Sequence, residues 1–195
     1  MTVNEGFVKE VFHKVLGVEV KTPFLRMTYD EAMNRYGSDK PDTRFGMELV
    51  NLSDVLKNCE FKVFAGALAE GGSVRGINVK GAASTLTRKE IDKLTDFVKT
   101  YRAKGLAFTR LTAEGESSSY EKFLTEEENR AILERAGAKD GDLVLIVGDA
   151  KDEVVFAALG ALRCECAKQL GILDPMDFKF LWVTEFPLLV YSEEE

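Results

Sequence analysis

The sequence predicts an α+β fold, with a twisted, mostly antiparallel sheet and helices packed on one face. Helix-like and strand-like segments follow each other without a repeating unit, which is typical of this layer arrangement. Three threonines, Thr28, Thr87 and Thr125, each precede a glutamate by three positions, and this capping-box pattern opens helices. Apolar runs such as LVLIVG lie between these predicted helices and have the length of buried strands.

The composition is that of a folded protein with an acidic surplus. Hydrophobic residues make up 45% of the 195 positions and charged residues 30%, which is ordinary for a protein with a buried core. The formal net charge is −7. Proteins that bind nucleic acid mainly through its phosphates carry a basic surplus. Any RNA contact must therefore come from a local patch or from another part of a larger protein.

Cysteine and histidine counts exclude several kinds of site. The chain has three cysteines, Cys59, Cys164 and Cys166, and one histidine, His13. An odd cysteine count without a secretion signal argues against a disulfide framework. One histidine cannot build a His-based metal site or a Ser-His-Asp triad, so we predict no metal site. No apolar run reaches membrane-spanning length, and we expect a cytoplasmic location with no membrane partner.

The first part of the chain predicts two helices, a polar loop and a short strand. Apolar residues at three- and four-residue spacing predict a helix over residues 4–16. A second helix begins at Thr28 and ends at Gly37. The polar loop GSDKPDTR, residues 37–44, follows, and a short strand is expected over 47–52.

The next part predicts a hairpin, a helix and a strand. The segments FKVFAGALAE and SVRGINVKG flank Gly71 and Gly72 and are interpreted as two strands, because glycine tolerates the positive φ of a tight turn. The Thr87 capping box then opens a helix with an apolar stripe, which ends at Gly105. The segment LAFTRL, from Leu106, is expected to be a strand.

The remaining part predicts a loop, two helices and two strands. Residues 112–124 are polar and serine-rich and are expected to form an exposed loop. A capping box opens a helix over 125–137, and LVLIVG is expected to be a buried strand. A long helix is predicted over 152–170, and a last strand, FKFLWVTEF, begins at Phe178.

Three stretches of the sequence together carry a family resemblance. They are PFLRMTYDEAMNRYGSDKPDTRFGMEL, FAGALAEGGSVRGINVKGAA, and LGALRCECAKQLGI with FKFLWVTEFPL. In order and spacing, over essentially the whole chain, they resemble bacterial-type aspartyl-tRNA synthetase. The combination is specific, whereas each stretch alone would be moderate evidence.

The resemblance implies a division into three parts. Residues 1–60 are expected to be an N-terminal flank from a class II catalytic domain. Residues 61–155 would be the bacterial insertion domain, a module shared with a subunit of tRNA-dependent amidotransferases. Residues 156–195 would be a helix and strand that return to the catalytic domain. The anticodon-binding barrel, the arginine motif that grips the ATP α-phosphate and the terminal glycine-rich arginine motif are absent, so we expect a fragment that is inactive alone.

The same resemblance implies the reaction of the parent enzyme. That enzyme would attach L-aspartate to tRNA(Asp) in two ATP-dependent steps through aspartyl-adenylate, with ATP and Mg²⁺ as cofactors and none in the fragment. The parent is expected to be a homodimer, and the fragment a monomer that docks onto the remainder of the catalytic domain. Two alternatives stay open: a free-standing tRNA- or protein-interaction module without catalysis, and, less favoured, a small enzyme that uses Asp39, Asp42 and Glu185.

Candidate site residues lie mainly in the polar loop. We predict no catalytic residue, because no base–nucleophile pair is evident. The residues predicted to lie at the margin of a substrate or tRNA site are Ser38, Asp39, Lys40, Asp42, Arg44 and Glu185. Lysine and arginine suit phosphate through charge-assisted hydrogen bonds. The alternative for the loop is a turn in which aspartates accept hydrogen bonds from nearby amides, and for Glu185 a solvent-facing position near a sheet end.

Overall fold

The computed structural model describes residues 1–189; the last residues of the predicted C-terminal part, 190–195, lie outside the described residues. The helices are α1 (Thr2–Leu16), α2 (Tyr29–Tyr36), α3 (Lys62–Ala69), α4 (Arg88–Lys99), α5 (Glu126–Ala136) and α6 (Asp152–Gln169), with a 3₁₀ turn at Glu121–Phe123. The strands are β1 (Leu25–Thr28), β2 (Val50–Asn51), β3 (Ser73–Val79), β4 (Ala107–Thr112), β5 (Gly115–Ser118), β6 (Leu143–Asp149) and β7 (Leu181–Thr184).

A five-stranded sheet forms the centre of the molecule. Its strand order is β2-β3-β6-β4-β5, and every neighbouring pair is antiparallel. The two longest strands, β3 and β6, pair along their whole length, from Ser73 opposite Asp149 to Val79 opposite Leu143. The α+β class and the antiparallel sheet predicted from the sequence are thereby confirmed. We call this sheet with helices α3 to α6 the central unit.

Helices cover both faces of this sheet, so the prediction of helices on one face is wrong. Leu145 and Val147 of β6 point toward α4 and α6 and share one hydrophobic cluster with them. Val144 and Ile146 point the opposite way, into a second cluster with α3 and α5. The physical reason is visible in the run LVLIV, because a strand that is apolar at every position must be covered on both sides.

A second, smaller unit contains α1, β1, α2 and β7, and we call it the flanking unit. Strands β1 and β7 form a two-stranded parallel sheet, from Leu25 opposite Leu181 to Thr28 opposite Thr184. The inner side of α1 packs on the segment that leads into β7, where the Phe12 ring meets the Phe180 ring edge-on at 4.9 Å. Parallel strands normally occur in larger sheets that are covered on both faces, so this small sheet is unusual.

The first strand of the predicted hairpin is a helix instead. Residues Lys62–Ala69 form α3, which buries Phe64 and Ala67 on one face. Their three-residue spacing is helical, and the run of alanines favours a helix over a strand. The glycine pair therefore joins a helix to β3. A Cβ atom on Gly72 would overlap the carbonyl oxygen of Asp149, so glycine is required by a close approach of backbones.

Other element boundaries also differ from the predictions. The predicted exposed loop over 112–124 contains β5 and the 3₁₀ turn, and Tyr120 is buried there with its hydroxyl 2.7 Å from the Thr109 hydroxyl. Helix α4 ends at Lys99, before Gly105. A complete capping box forms at Thr125. At Thr28 the side chain accepts a hydrogen bond from Glu31 N, which is half of a capping box. The Thr87 side chain makes no cap hydrogen bond.

Candidate functional site

The polar loop lies between α2 and β2, where α2 crosses α6 at very short distance. Gly37 ends α2 with φ 66°, and a Cβ there would overlap the carbonyl oxygen of Phe156 on α6. A Cβ on Gly160 of α6 would lie 2.5 Å from the carbonyl oxygen of Gly37. The two glycines allow the helix backbones to touch, and this contact sets the start of the loop against α6.

The five predicted loop residues lie together, and local bonds hold the charged ones. Lys40 Nζ lies 2.7 Å from Asp39 Oδ2. Arg44 donates from Nη2 to Asp42 Oδ2 at 2.7 Å and from its backbone N to Asp42 Oδ1 at 3.1 Å. The Ser38 hydroxyl accepts a hydrogen bond from Lys40 N at 3.1 Å. The bonds accepted by Ser38 and Asp42 agree with the turn interpretation, whereas Asp39 bonds to Lys40 Nζ.

The Asp42–Arg44 pair shifts the titration of both groups. Hydrogen bonds from the Arg44 side chain lower the pKa of Asp42, although partial burial opposes this. The hydrogen bond to Asp42 raises the pKa of Arg44. Asp42 is therefore an acceptor held in its ionised form and cannot donate a proton near neutral pH. This suits binding and positioning of a ligand and not general acid chemistry.

Arg163 of α6 anchors the loop, and it is not among the site residues predicted from the sequence. It is 1% exposed and donates to three backbone carbonyls, those of Asp42 at 2.8 Å, Met47 at 3.1 Å and Gly46. Its guanidinium lies 4.3 Å from the Phe45 ring centroid. Burial lowers the pKa of Arg163. An arginine inside the apolar run LGALRCECA was the available signal, because a buried charge needs partners.

Two small cavities adjoin the loop. One, of about 300 Å³, lies between the loop and residues 177–180, and Lys40, Asp42 and Arg44 line it. The other, of about 290 Å³, lies against α6 and is lined by Ser38, Lys40 and Asp42. Arg44 also donates from Nη1 to the carbonyl oxygen of Asp174 at 3.3 Å, which ties the loop to the segment before β7. This arrangement can bind a ligand, and none of its groups forms a nucleophile–base pair.

Glu185 lies apart from these cavities. The last strand was predicted to include it, but β7 ends at Thr184. Glu185 follows with φ 59° and an exposed side chain. It lines neither of the cavities beside the loop. Its exposed side chain agrees with the alternative of a solvent-facing position near a sheet end.

Two kinds of feature are absent from residues 1–189. No set of three or more His, Cys, Asp or Glu side chains in this part of the chain could hold a metal ion. No helix within the same residues is long and apolar enough to cross a membrane.

Comparisons with known proteins show which proteins the chain resembles. Residues 64–159 match the family model of the GAD domain. Proteins named aspartate–tRNA ligase from Ruminiclostridium cellulolyticum, Clostridium perfringens and Clostridium botulinum are 61%, 57% and 56% identical to the chain over 100%, 100% and 99% of its length. The chain is homologous to aspartate–tRNA ligase. It spans about a third of these relatives, 33%, 32% and 32% of their respective lengths.

The family assignment confirms the resemblance predicted from the sequence. The GAD match begins within α3 and ends within α6, so it covers most of the central unit. The polar loop precedes the matched residues, and Gly160 and Arg163, which hold it, directly follow them. The GAD-matched residues therefore lie between two chain segments that come together at the loop.

Proposed function

We propose that the chain is the part of an aspartate–tRNA ligase that carries the GAD domain. The parent enzyme would attach L-aspartate to tRNA(Asp) in the cytoplasm, in two ATP-dependent steps through aspartyl-adenylate. The observation that carries this proposal is identity of 56–61% to proteins of that name over essentially the whole chain. The aligned length includes the polar loop and the flanking unit as well as the GAD-matched residues.

ATP and Mg²⁺ are proposed as cofactors of the parent. When bound, ATP would supply the adenylate that activates aspartate. The donors in residues 1–189 do not fit a Mg²⁺ site by themselves, because both carboxylate oxygens of Asp42 are engaged by Arg44 and no group of three or more His, Cys, Asp or Glu side chains there could hold a metal ion. We therefore assign no reaction step to residues of this chain and expect it to be inactive alone.

The flanking unit is proposed to dock onto the remainder of a catalytic domain. Its parallel pair, β1 and β7, is too small to be a stable sheet alone. The outer side of α1 exposes an apolar stripe at four-residue spacing, which contains Val3, Phe7, Val11 and Val15. Residues 1–60 and 156–195 are thus proposed to belong to the catalytic domain, with 61–155 as the insertion. The parent is proposed to be a homodimer.

The polar loop is proposed to border the substrate or tRNA site of the parent. Lys40 and Arg44 line a cavity between the loop and residues 177–180, and exposed ion pairs such as Lys40–Asp39 are weak. A phosphate could therefore replace Asp39 as the partner of Lys40. Ser38, Asp39 and Asp42 would shape the loop, and Glu185 would lie at the far margin.

Aspartate-dependent ATP–pyrophosphate exchange tests these proposals. We expect no exchange by the folded chain alone. A chimera, in which the chain replaces the matched third of the Clostridium perfringens relative, should be active. Lys40→Ala and Arg44→Ala in the chimera should each lower kcat/KM for aminoacylation by about tenfold, whereas Lys57→Ala, at an exposed position away from the loop, should not.

Three results would contradict the proposals. Robust exchange by the chain alone would mean that a complete active site lies within it. An inactive but folded chimera would favour a separate interaction module. Unchanged kinetics in both loop variants would remove the loop from the site.

A further inference from the structure

Two arginines are buried within residues 1–189, and only one of them has a full set of partners. Arg163 is 1% exposed and donates to three backbone carbonyls. Arg75 of β3 is 8% exposed, and the one hydrogen bond that its side chain makes in this part of the chain goes from Nε to the Ser73 hydroxyl, at 3.4 Å. A guanidinium has five N–H donors, so most donors of Arg75 have no acceptor among the described residues.

The charge of Arg75 is not paired with an anion in the described part of the chain. Burial lowers the pKa of Arg75, and the charge of Asp152 opposes this. Asp152 is exposed in the first turn of α6, where the positive end of the helix already favours a carboxylate, and it forms no ion pair with Arg75. The guanidinium lies 4.6 Å from the Phe156 ring centroid. The ring attracts the cation, but most of its N–H donors stay without an acceptor, and an uncompensated buried charge destabilises a fold.

The unpaired end of Arg75 is open to a partner from outside the chain. The sealed side-chain atoms without a partner in residues 1–189 are Asn78 Oδ1 and Asn129 Oδ1, so the Nη atoms of Arg75 reach the surface. Arg75 is one strand from the sheet edge, and its cross-strand neighbour is Asn51 of the two-residue edge strand β2, on the same face of the sheet. The Asn51 amide oxygen accepts from Ser53 N at 2.9 Å, which leaves its exposed NH₂ group as a second donor.

We propose that Arg75 binds a carboxylate from a part of the ligase outside this chain, with Asn51 as a second donor at the rim. Arginine and a carboxylate form two parallel N–H···O bonds, which suit a guanidinium that is buried up to its outer edge. The charge of Asp152 repels a doubly charged phosphate more strongly than a carboxylate, so a carboxylate is favoured. This inference rests on the proposed function: the chain spans 33% of the first relative, and the larger part of such a ligase can supply the acidic side chain.

Thermal melts of Arg75→Met in the chain alone and in the chimera test the proposal. Methionine keeps a contact with the Phe156 ring. In the chain alone the melting temperature should rise by about 2 °C, because an unpaired buried charge is removed. In the chimera it should fall by about 3 °C, because the partner carboxylate then loses its arginine. Arg163→Met is the control and should lower the melting temperature in both, since its carbonyl partners lie within the chain. Shifts of the same sign for Arg75→Met in both proteins would overturn the proposal.

A second measurement needs no variant of Arg75. The Nε–H signal of Arg75, observed by nuclear magnetic resonance in the ¹⁵N-labelled chain, should shift saturably with acetate at constant ionic strength and not with N-methylacetamide, a neutral carbonyl probe. The Arg163 signal should stay unchanged with both. No acetate shift, an equal shift with the amide, or acetate binding only in Asp152→Asn would overturn the proposal, the last because Asp152 would then be the partner.

The outcomes separate this inference from the proposed function. An active chimera in which Arg75→Met raises the melting temperature would overturn the inference and leave the ligase proposal intact. An inactive but folded chimera would overturn the ligase proposal, while acetate binding by the chain alone would still support the Arg75 site.

Discussion

The central unit and the flanking unit bury their strands in opposite ways. In the central unit, β6 has a strand on each side and helices on both faces, and Val144, Leu145 and Ile146 are fully buried. In the flanking unit, β1 and β7 have only each other, and Phe7 on α1 is 69% exposed. The comparison teaches that the GAD-matched part contains its own core, whereas the flanking unit leaves an apolar helix side and a two-stranded sheet uncovered.

The largest expected effect comes from the centre of β6. Leu145→Ala should lower the free energy of unfolding by about 3 kcal/mol, because the cavity it leaves cannot be refilled in a sheet covered on both faces. Urea denaturation followed by circular dichroism measures the change. Phe7→Ala on the exposed side of α1 is the control and should change stability by less than about 0.5 kcal/mol. Equal losses in the two variants would contradict the difference between the units.

The second-largest effect is expected at the contact between α2 and α6, which joins the two units. Gly160→Ala places a methyl group 2.5 Å from the carbonyl oxygen of Gly37 and should cost about 1–3 kcal/mol, since backbone atoms must move apart. Gly6→Ala in α1 meets no atom within 4 Å and should instead stabilise by about 0.5–1 kcal/mol through helix propensity. Thermal melts of the two variants should therefore shift in opposite directions; a shared direction would argue against the close helix crossing.

Arg163 should control the order of the polar loop. Arg163→Met leaves the carbonyls of Asp42, Gly46 and Met47 without their donor and should cost about 1–3 kcal/mol. Hydrogen exchange should accelerate over residues 42–49 and stay unchanged in β3. Exchange that remains slow throughout this loop would show that Arg163 does not hold it.

The smallest expected effect is the pH dependence of the Asp42–Arg44 pair. The pKa of Asp42 is lowered in the folded chain by the Arg44 hydrogen bonds. The pair therefore stabilises the folded chain fully at pH values above the unfolded pKa of about 3.9. This contribution is lost as the pH falls through the folded pKa. The stability difference between wild type and Asp42→Asn should be below about 1 kcal/mol at pH 7 and should disappear on acidification. A stability difference between wild type and Asp42→Asn that grows below pH 4 would contradict this prediction.

Local signals in the sequence predicted part of the fold for clear physical reasons. The Thr125 capping box involves only residues 125–128, so it could be predicted locally. The run that forms β6 is apolar at nearly every position, so it could be predicted as a buried strand. The segment that forms α3 has helical spacing and alanines, but the glycine pair after it also suits a hairpin turn, so its local signals conflict. Phe64 packs near Tyr120 in the folded chain, with the ring centroids 5.9 Å apart, and this long-range contact is not visible in the local sequence. The second helical layer depends on the same long-range packing.

In the candidate site, too, local features were predictable from the sequence and long-range contacts were not. The loop from Ser38 to Arg44 was predictable because its polar residues and proline exclude regular structure. Its anchor was not, because Arg163 lies far along the chain and meets the loop only through the crossing of α2 and α6. Glu185 was predicted to lie on the last strand, but β7 ends at Thr184 because Glu185 itself has a positive φ.

Hydrogen exchange on two samples tests the central claim most directly: the chain alone, and the chain grafted in place of the matched third of the Clostridium perfringens relative. The account predicts that β3 and β6 are equally protected in both, while β1, β7 and α1 exchange quickly in the chain alone and become protected in the graft. Equal protection of β1 and β7 in both samples would contradict it, because the flanking unit would then need nothing from the rest of a ligase.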